Sequence, residues 1–424
     1  MKYFDVLNAT KHWRGDETRP NAASVRNVSY SDAMLESFGV SSSGTSVTAT
    51  TAMRVSTVAA CVAKISGAIV SMRLNTFRHN GGDVPEIAPR DDLWYKLNEQ
   101  PSGNYTAAAF WESIIISMLL RGDAFALIRR SANGQIRELL FLPWGCVSPV
   151  REGGEVRYYV NMPTHNIKSW FAPSEILHFT GLGFDDTTLR SMSVIQYGAR
   201  NSIGNALAMS EYAGKFFENG AHPSIILEAP EKMDADQIKL LQQAFANKYA
   251  GLSNAHRLPL VLTEGLKANQ ISIDANDAQL IEGQKFTVLD ICRAFGVPPH
   301  LIGETSGSTS WGSGLEALGR GFVQYTLQPW LIKIEQEINR KLYPRDSGKF
   351  IEFDRDALIE GDLQAQGEYY RKAIGGNGSG DGWMTVNEIR RRKRLAPVAG
   401  GDTLFKSVAA ATPAAKPDNG NPTK

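Results

Sequence analysis

His178 is followed by Asp185 and Asp186, and an imidazole beside two carboxylates is the raw material of a metal site or an acid–base pair. The surrounding sequence completes neither. No third ligand stands nearby, His178 sits at the end of a strand-like run, and the other histidines are scattered, so no catalysis is expected there. Cys61, Cys146 and Cys292 are odd in number and far apart, with no Cys-x-x-Cys or Cys/His spacing. That pattern indicates neither a zinc site nor a disulfide framework. Cys61 and Cys292 fall on apolar helix faces and read as small core residues. The run Gly375-Gly376-Asn377-Gly378-Ser379-Gly380-Asp381-Gly382 has the glycine content of a phosphate cradle. It lacks a preceding strand and a following Lys-Ser/Thr, and reads as a connection between helices. No cofactor and no metal are expected.

Two further features could touch a polyanion. Arg390-Arg391-Arg392-Lys393-Arg394 could meet DNA, although a solvated helix end has the same composition. Trp311 is conspicuous because it stands in a Gly/Ser run. The charge of the whole chain restricts both. With 45 basic against 44 acidic residues, the formal net charge is +1. A firm grip on nucleic acid needs many cations at phosphates, so the balance argues against a broad DNA-gripping surface, while loose handling stays open. Residues 1–14 lack the apolar centre of a secretion signal. The most apolar stretch, 114–120, is flanked by Glu112, Arg121 and Asp123, far short of the about 20 residues that span a bilayer. No membrane contact is expected, and the cysteine usage fits a reducing cytoplasm.

The 424 residues are enough for two or three packed units. The first fifty, ending in Ser41-Ser42-Ser43-Gly44-Thr45-Ser46, are poor in apolar residues and predict a flexible arm; the end of the chain has the same character. Val55, Val58, Val62, Ile65 and Ile69 recur at helical spacing, and a strand follows at 73–78. A helix over 106–120 carries Phe110, Trp111, Ile114 and Met118. The period then drops to two, giving a hairpin of 124–130 and 135–142 around Asn133-Gly134, with short strands at 146–150, 156–160 and 176–179. This first unit is α+β. A helix over 193–219 contains Gly198, Gly204 and Gly214, which lower helix propensity by about 1 kcal/mol each, so packing must hold it, with small residues letting neighbouring helices approach. A second helix over 277–295 stops at Gly296 and Pro298-Pro299. Between them lie strands at 224–228, 258–262 and 271–273 and a helix that starts with Asp234 and Gln237 as a capping box. A last long helix, 315–342, contains Pro329 and should kink near Tyr325.

Taken together, these segments resemble the portal proteins of tailed bacteriophages. Glu211-Tyr212-Ala213 with Phe216-Phe217-Glu218-Asn219-Gly220-Ala221 is similar to the start of that family's stem, and Phe295-Gly296-Val297-Pro298-Pro299 to its exit. Thr309-Ser310-Trp311-Gly312-Ser313-Gly314-Leu315-Glu316 resembles the tunnel loop, and Phe322-Val323-Gln324-Tyr325-Thr326-Leu327-Gln328-Pro329-Trp330 the kinked tunnel helix. Leu119-Leu120-Arg121-Gly122-Asp123-Ala124, Asn254-Ala255-His256-Arg257, and Thr385-Val386-Asn387-Glu388-Ile389-Arg390 with Gly400-Gly401-Asp402 also fit. The likeness runs from about residue 51 to 402 and departs at Ala317-Leu318, where the family usually has two glutamines.

The resemblance implies a portal-type α+β subunit assembling into a ring of twelve. Its parts would be an arm (1–50), a wing (51–192), a first stem helix (193–222), a clip (223–276) and a second stem helix (277–303). A tunnel loop (304–314), a kinked tunnel helix (315–343), a wing strand (344–357), a crown (358–402) and a tail (403–424) would follow. Ser306, Gly307, Ser308, Thr309, Ser310, Trp311, Gly312 and Ser313 would face DNA, with Trp311 either in the lumen or folded back. Gln242, Gln243 and Lys248 would face the terminase large subunit and a head-tail adaptor, and Arg391, Arg392, Lys393 and Arg394 could form a crown contact to DNA. The major capsid protein and double-stranded DNA, read without sequence specificity, complete the implied partners. The virion would be the location, and the host cytoplasm during assembly. The competing reading is a capsid-associated hydrolase or nuclease.

Overall fold

A computed structural model describes residues 37–79, 85–218, 225–228, 234, 236–240, 243, 267–270, 277–304, 318–343, 347–355, 363–375, 381–393 and 395–406. It is α+β and divides into two compact units, one of residues 1–309 and 324–353 and one of residues 310–323 and 354–424.

The first unit begins earlier than expected. The arm was predicted to reach residue 50, yet β1 (Ser37–Val40) and β2 (Ser46–Thr48) form an antiparallel hairpin, followed by a one-turn helix α1 (Ala49–Ala52) capped by Thr48. The Ser-rich tip that looked structureless is a tight turn, in which Ser41 Oγ reaches Ser43 Oγ at 2.9 Å and the Thr45 carbonyl at 3.0 Å. Small polar side chains satisfy turn backbone in place of apolar burial.

Helix α2 (Ser56–Ser71) buries Val58, Val62, Ile65 and Ile69. It leads into β3 (Leu74–Arg78), β4 (Glu86–Ile87) and a short helix α3 (Asp92–Asn98) that the sequence reading did not anticipate. Asp91 caps α3 by accepting from Trp94 N–H at 2.9 Å. Helix α4 (Ala107–Arg121), capped by Thr106, packs on a three-stranded sheet. In that sheet β5 (Asp123–Arg130) lies between β6 (Ile136–Leu142) and β10 (Ile176–Thr180). A second antiparallel sheet of β7 (Val147–Glu152), β8 (Glu155–Met162) and β9 (Ile167–Phe171) covers its other face. Phe125, Leu127, Leu140, Val160, Met162 and Ile167 fill the space between the two sheets. Strand β5 is therefore buried on both faces, which explains its nearly continuous apolar run.

After the ribbon β11 (Leu182–Asp185) and β12 (Arg190–Met192), a π-helical turn Ile195–Ala199 opens helix α5 (Arg200–Glu218). The antiparallel strands β13 (Ile225–Glu228) and β14 (Lys267–Gln270) lead back to helix α6 (Asp277–Phe295) beside α5, where Met209 lies against Gly283. Strand β14 falls just before the predicted 271–273, and the predicted 258–262 lies outside the described residues. Gly204 of α5 faces the N-terminal hairpin within this chain. A Cβ there would stand 2.2 Å from the Cβ and Oγ of Ser41, so the N-terminal hairpin occupies the gap that glycine leaves.

The Pro329 distortion takes a specific form. A π-helical segment, Phe322–Leu327, precedes α7 (Gln328–Leu342), which carries Pro329 in its first turn. Proline has no N–H for the Tyr325 carbonyl, and a wider turn lets later donors reach it instead. Strand β15 (Lys349–Phe353) then pairs with β3.

In the second unit, helices α8 (Leu363–Ile374) and α9 (Val386–Arg392) are joined through Trp383 N–H and Met384 N–H, which both donate to the Ala373 carbonyl at 3.0 Å. The predicted tail began at 403, but the backbone is described to residue 406, and the Phe405 carbonyl accepts from Gly382 N–H at 2.8 Å.

Candidate functional site

The tunnel-loop residues Ser306 to Ser313, together with Gln242, Lys248 and Arg394, lie outside the described residues; Gln243 is helical and exposed. Gln237 Oε1 accepts from Asp234 N–H at 3.1 Å, one half of the predicted capping box. In the basic run, Arg391 meets Asp402 at 2.9 Å, Arg390 donates to the Ala396 carbonyl, and the Lys393 ammonium stands 5.4 Å above the Tyr370 ring.

The densest polar chemistry lies in the first unit around β5, β10 and α7, where the sequence reading had not placed it. His178 is not beside Asp185 or Asp186. Asp185 is exposed and held below the usual carboxylate range by the Thr187 N–H and the Thr188 hydroxyl, and Asp186 pairs with Arg151. The partner of His178 is Asp123, wholly buried at the start of β5, with Nε2 and Oδ1 3.2 Å apart. Ser191 N–H donates to both Asp123 oxygens at 3.1 and 3.2 Å, and the Arg190 guanidinium stands 3.7 Å away. Burial pulls Arg190 below its ordinary pKa, against the pull of Asp123. On its other side, His178 Nδ1 lies 3.1 Å from the Tyr158 hydroxyl. Burial, then the nearby Glu337 charge, push that phenol up to about 12.

Helix α7 closes the network. Glu337 Oε1 accepts the His178 backbone N–H at 2.8 Å and pairs with Lys341, whose own pKa burial lowers. Glu335 takes the Phe353 N–H at 2.8 Å, and Asn339 bonds both backbone groups of Ile351. These side chains act as substitute strand partners, joining α7 to the edges of β10 and β15. Buried carboxylates persist only where such donors surround them.

A His–Asp–Tyr chain could move protons, but here every arm is consumed structurally. The Asp123 oxygens are taken by Ser191, His178 and Arg190, and the imidazole lies tilted against the Phe125 ring, with centroids 4.5 Å apart. Among the described residues, no group of three or more His, Cys, Asp or Glu could hold a metal ion, and no helix is long and apolar enough to cross a membrane. Cys61 of α2 and Cys292 of α6 are neighbours in the core, and the Cys292 thiol, then burial, push the Cys61 thiol up.

Three sequence motifs acquire physical reasons. Gly122, at φ +93°, precedes Asp123 where a Cβ would lie 2.2 Å from the Ser191 carbonyl oxygen, so only glycine lets β12 approach and deliver its N–H. Gly296, at φ +69°, ends α6, and its carbonyl accepts from the Thr326 hydroxyl at 2.6 Å, tying the end of α6 to the π-helical segment. Asn387 joins α9 to the 398–402 loop: its Nδ2 donates to the Val398 carbonyl and Asp402, and its Oδ1 accepts from Val398 N–H. A Cβ on Gly401 would stand 2.5 Å from that Oδ1.

Comparison with known proteins agrees with this scaffold character. A portal protein of Enterobacteria phage HK97 is 33% identical over 357 residues, covering 84% of this chain and 82% of its own. A probable portal protein of Streptomyces phage phiC31 is 32% identical over 371 residues, covering 85% and 79%. A chain in a structure of the neck of a native gene transfer agent particle, computed with C12 symmetry, is 20% identical with a TM-score of 0.52, covering 82% and 93%. The hydrolase or nuclease reading finds no support in these comparisons. The phage portal protein family matches residues 56–393, from the start of helix α2 into the basic run, and the chain belongs to that family.

Proposed function

We propose that this chain is one of twelve subunits of a closed ring at a single capsid vertex, through which double-stranded DNA enters during packaging and leaves at ejection. The family match across residues 56–393 carries this reading, and the likeness of fold to a chain from a neck with C12 symmetry supports the ring number. The wing would be the rigid outer body, α5 and α6 the stem, and the 223–276 segment the clip on which the terminase large subunit and later a head-tail adaptor dock through Gln242, Gln243 and Lys248. The subunit is a conduit and not an enzyme. It acts in the virion, beside the major capsid protein, and assembles in the host cytoplasm.

In this reading Ser306, Gly307, Ser308, Thr309, Ser310, Trp311, Gly312 and Ser313 form the lip against DNA, with Arg391, Arg392, Lys393 and Arg394 as a further contact in the crown. No Lys or Arg stands between Gly303 and Gly319, so each subunit offers the duplex a neutral lip. A neutral lip lacks the counterion-release attraction that would hold moving DNA. Electron micrographs of the purified protein should show closed rings. In a packaging and retention assay at two ionic strengths, Trp311→Ala should release packaged DNA more readily. Ser310→Lys should slow translocation in a way that salt relieves. Parent-like behaviour of both variants would overturn the assignment of this loop.

A further inference from the structure

An uncovered edge strand offers a row of backbone N–H and C=O groups to another chain, so the edges of a sheet are normally covered or blunted. In the two packed sheets of the first unit the edge strands are β10, β6, β7 and β9. The edge of β10 is taken by α7, where Glu337 accepts the His178 N–H and Lys341 donates to the Ile176 carbonyl. On β6, Leu139 N–H donates to the Pro101 carbonyl at 2.9 Å and Phe141 N–H to the Tyr105 hydroxyl at 2.8 Å. Strand β7 contains Pro149, which has no N–H, and its Val147 carbonyl accepts from Arg190. Strand β9 has no such cover. Among the described residues, its backbone bonds are the ladder with β8 and a long contact from Ser169 Oγ to the Trp170 carbonyl at 3.5 Å.

The neighbours of β9 decide what can lie beside it. Its residues, Ile167-Lys168-Ser169-Trp170-Phe171, span about 17 Å, room for an extended segment of equal length. On the inner side, Ile167 and Phe171 line an open cavity of about 380 Å³ together with Leu127, Arg129, Arg137 and Glu175. On the outer side Lys168 is exposed, and the half-exposed Trp170 ring lies 5.1 Å from that of Tyr159. The acids nearby are already engaged: Glu138 pairs with Arg129 at 3.2 Å, and Glu175 accepts the Ala172 N–H at 2.8 Å. Arg137 and Lys168 are exposed and have neither a hydrogen-bonding nor an ionic partner among the described residues. The edge thus combines free backbone groups, apolar contact and two uncompensated cations. A second β9 would bring its own Arg137 and Lys168 to the same place, which is repulsive, whereas an acidic strand meets opposite charge.

We infer that β9 takes up an extended acidic segment of a partner protein as a further strand of its sheet, with an acidic side chain at Arg137 and an apolar one beside Trp170. Main-chain bonds supply the affinity of such strand addition, and alternate side chains supply the selectivity. Residues two apart share a face of a strand, so alternating acidic and apolar residues meet both demands. The probe is a fluorescein-labelled peptide, Glu-Val-Glu-Val-Glu-Val-Glu, titrated against the full chain by fluorescence anisotropy. Saturable binding is expected, weaker by about ten-fold or more for the Lys-Val counterpart and for an Arg137→Glu chain. Arg137 is exposed, so this substitution disturbs no core. Two further peptides carry N-methyl groups, one on its valine amides and the other on its glutamate amides. Only alternate amides of a strand face its neighbour, so one of the two should lose binding. Equal binding of the glutamate and lysine peptides, or full binding of both N-methylated peptides, would overturn the inference. Absence of saturable binding would overturn it too, and a change in the chain's assembly state with Lys168→Glu would then show that a second copy covers β9.

Discussion

Replacing Gly204 by alanine puts a methyl group where Ser41 already stands. The added Cβ would lie 2.2 Å from both side-chain atoms of Ser41, too close for any real contact, so something must move. Overpacking of this kind costs about 1–3 kcal/mol. Alanine in a helix interior returns about 1 kcal/mol relative to glycine, but α5 keeps that gain whether the hairpin is docked or lifted, so it offsets nothing at the contact. Helix α5 lies beside α6, whereas the hairpin tip is tied to α5 through Ser42 N–H on Asn201 Oδ1 at 3.2 Å. The cost should therefore fall on the hairpin, which lifts away as a local opening rather than unfolding the rest of the first unit. Amide exchange in the 37–48 segment should accelerate by about five-fold to 150-fold, the equivalent of about 1–3 kcal/mol, with no loss of α5 protection. Adding Ser41→Gly removes the clash, so the double variant should be no worse than Ser41→Gly alone, a coupling that a double-mutant cycle measures. Exchange unchanged from the parent, or strictly additive effects, would refute the contact. Loss of rings without any change in hairpin exchange would return Gly204 to the helix–helix interface that its sequence first suggested.

Two other perturbations follow from the buried groups. Tyr158 is raised from the ordinary phenol value to about 12 by burial, so the stability gained by keeping it neutral is complete below about pH 10 and is lost as the pH rises toward 12, about 2–3 kcal/mol in all. Tyr158→Phe should cost about 1 kcal/mol at neutral pH, through the lost bond to His178, and should flatten part of the alkaline loss in denaturant titrations; an unchanged alkaline slope would show that the phenol is not buried in this network. Asn387→Ala should expose the 395–402 loop to proteolysis at a cost of about 1–3 kcal/mol, because Val398 loses partners for both backbone groups, and Asn387→Asp should recover the bond from Val398 N–H. Parent-like cleavage of Asn387→Ala would remove Asn387 as the hinge pin of that loop.

Much of the secondary structure was legible because its causes are local. Thr106 and the Thr385–Glu388 capping box mark helix starts through bonds within one turn, Asn133-Gly134 turns its hairpin, and Pro329 disturbs its helix wherever the chain goes. The family itself was legible for a related reason: Gly122-Asp123, Gly296 and Asn387 with Gly401 are residue types that few alternatives can replace at knots of the fold. What those residues hold was not legible. Asp123 finds His178 across 55 positions and Glu337 finds the His178 backbone across 159, because sheet register and helix docking set those distances and local propensity does not. The N-terminal turn looked disordered for the same reason: its few apolar groups cannot order it alone, and its shape is fixed by the groove at Gly204, more than 150 residues away in sequence. Tertiary packing alone decided that a polar run would be structured and that an acid–base pair would be a clamp, since burial removes the water that would otherwise solvate both.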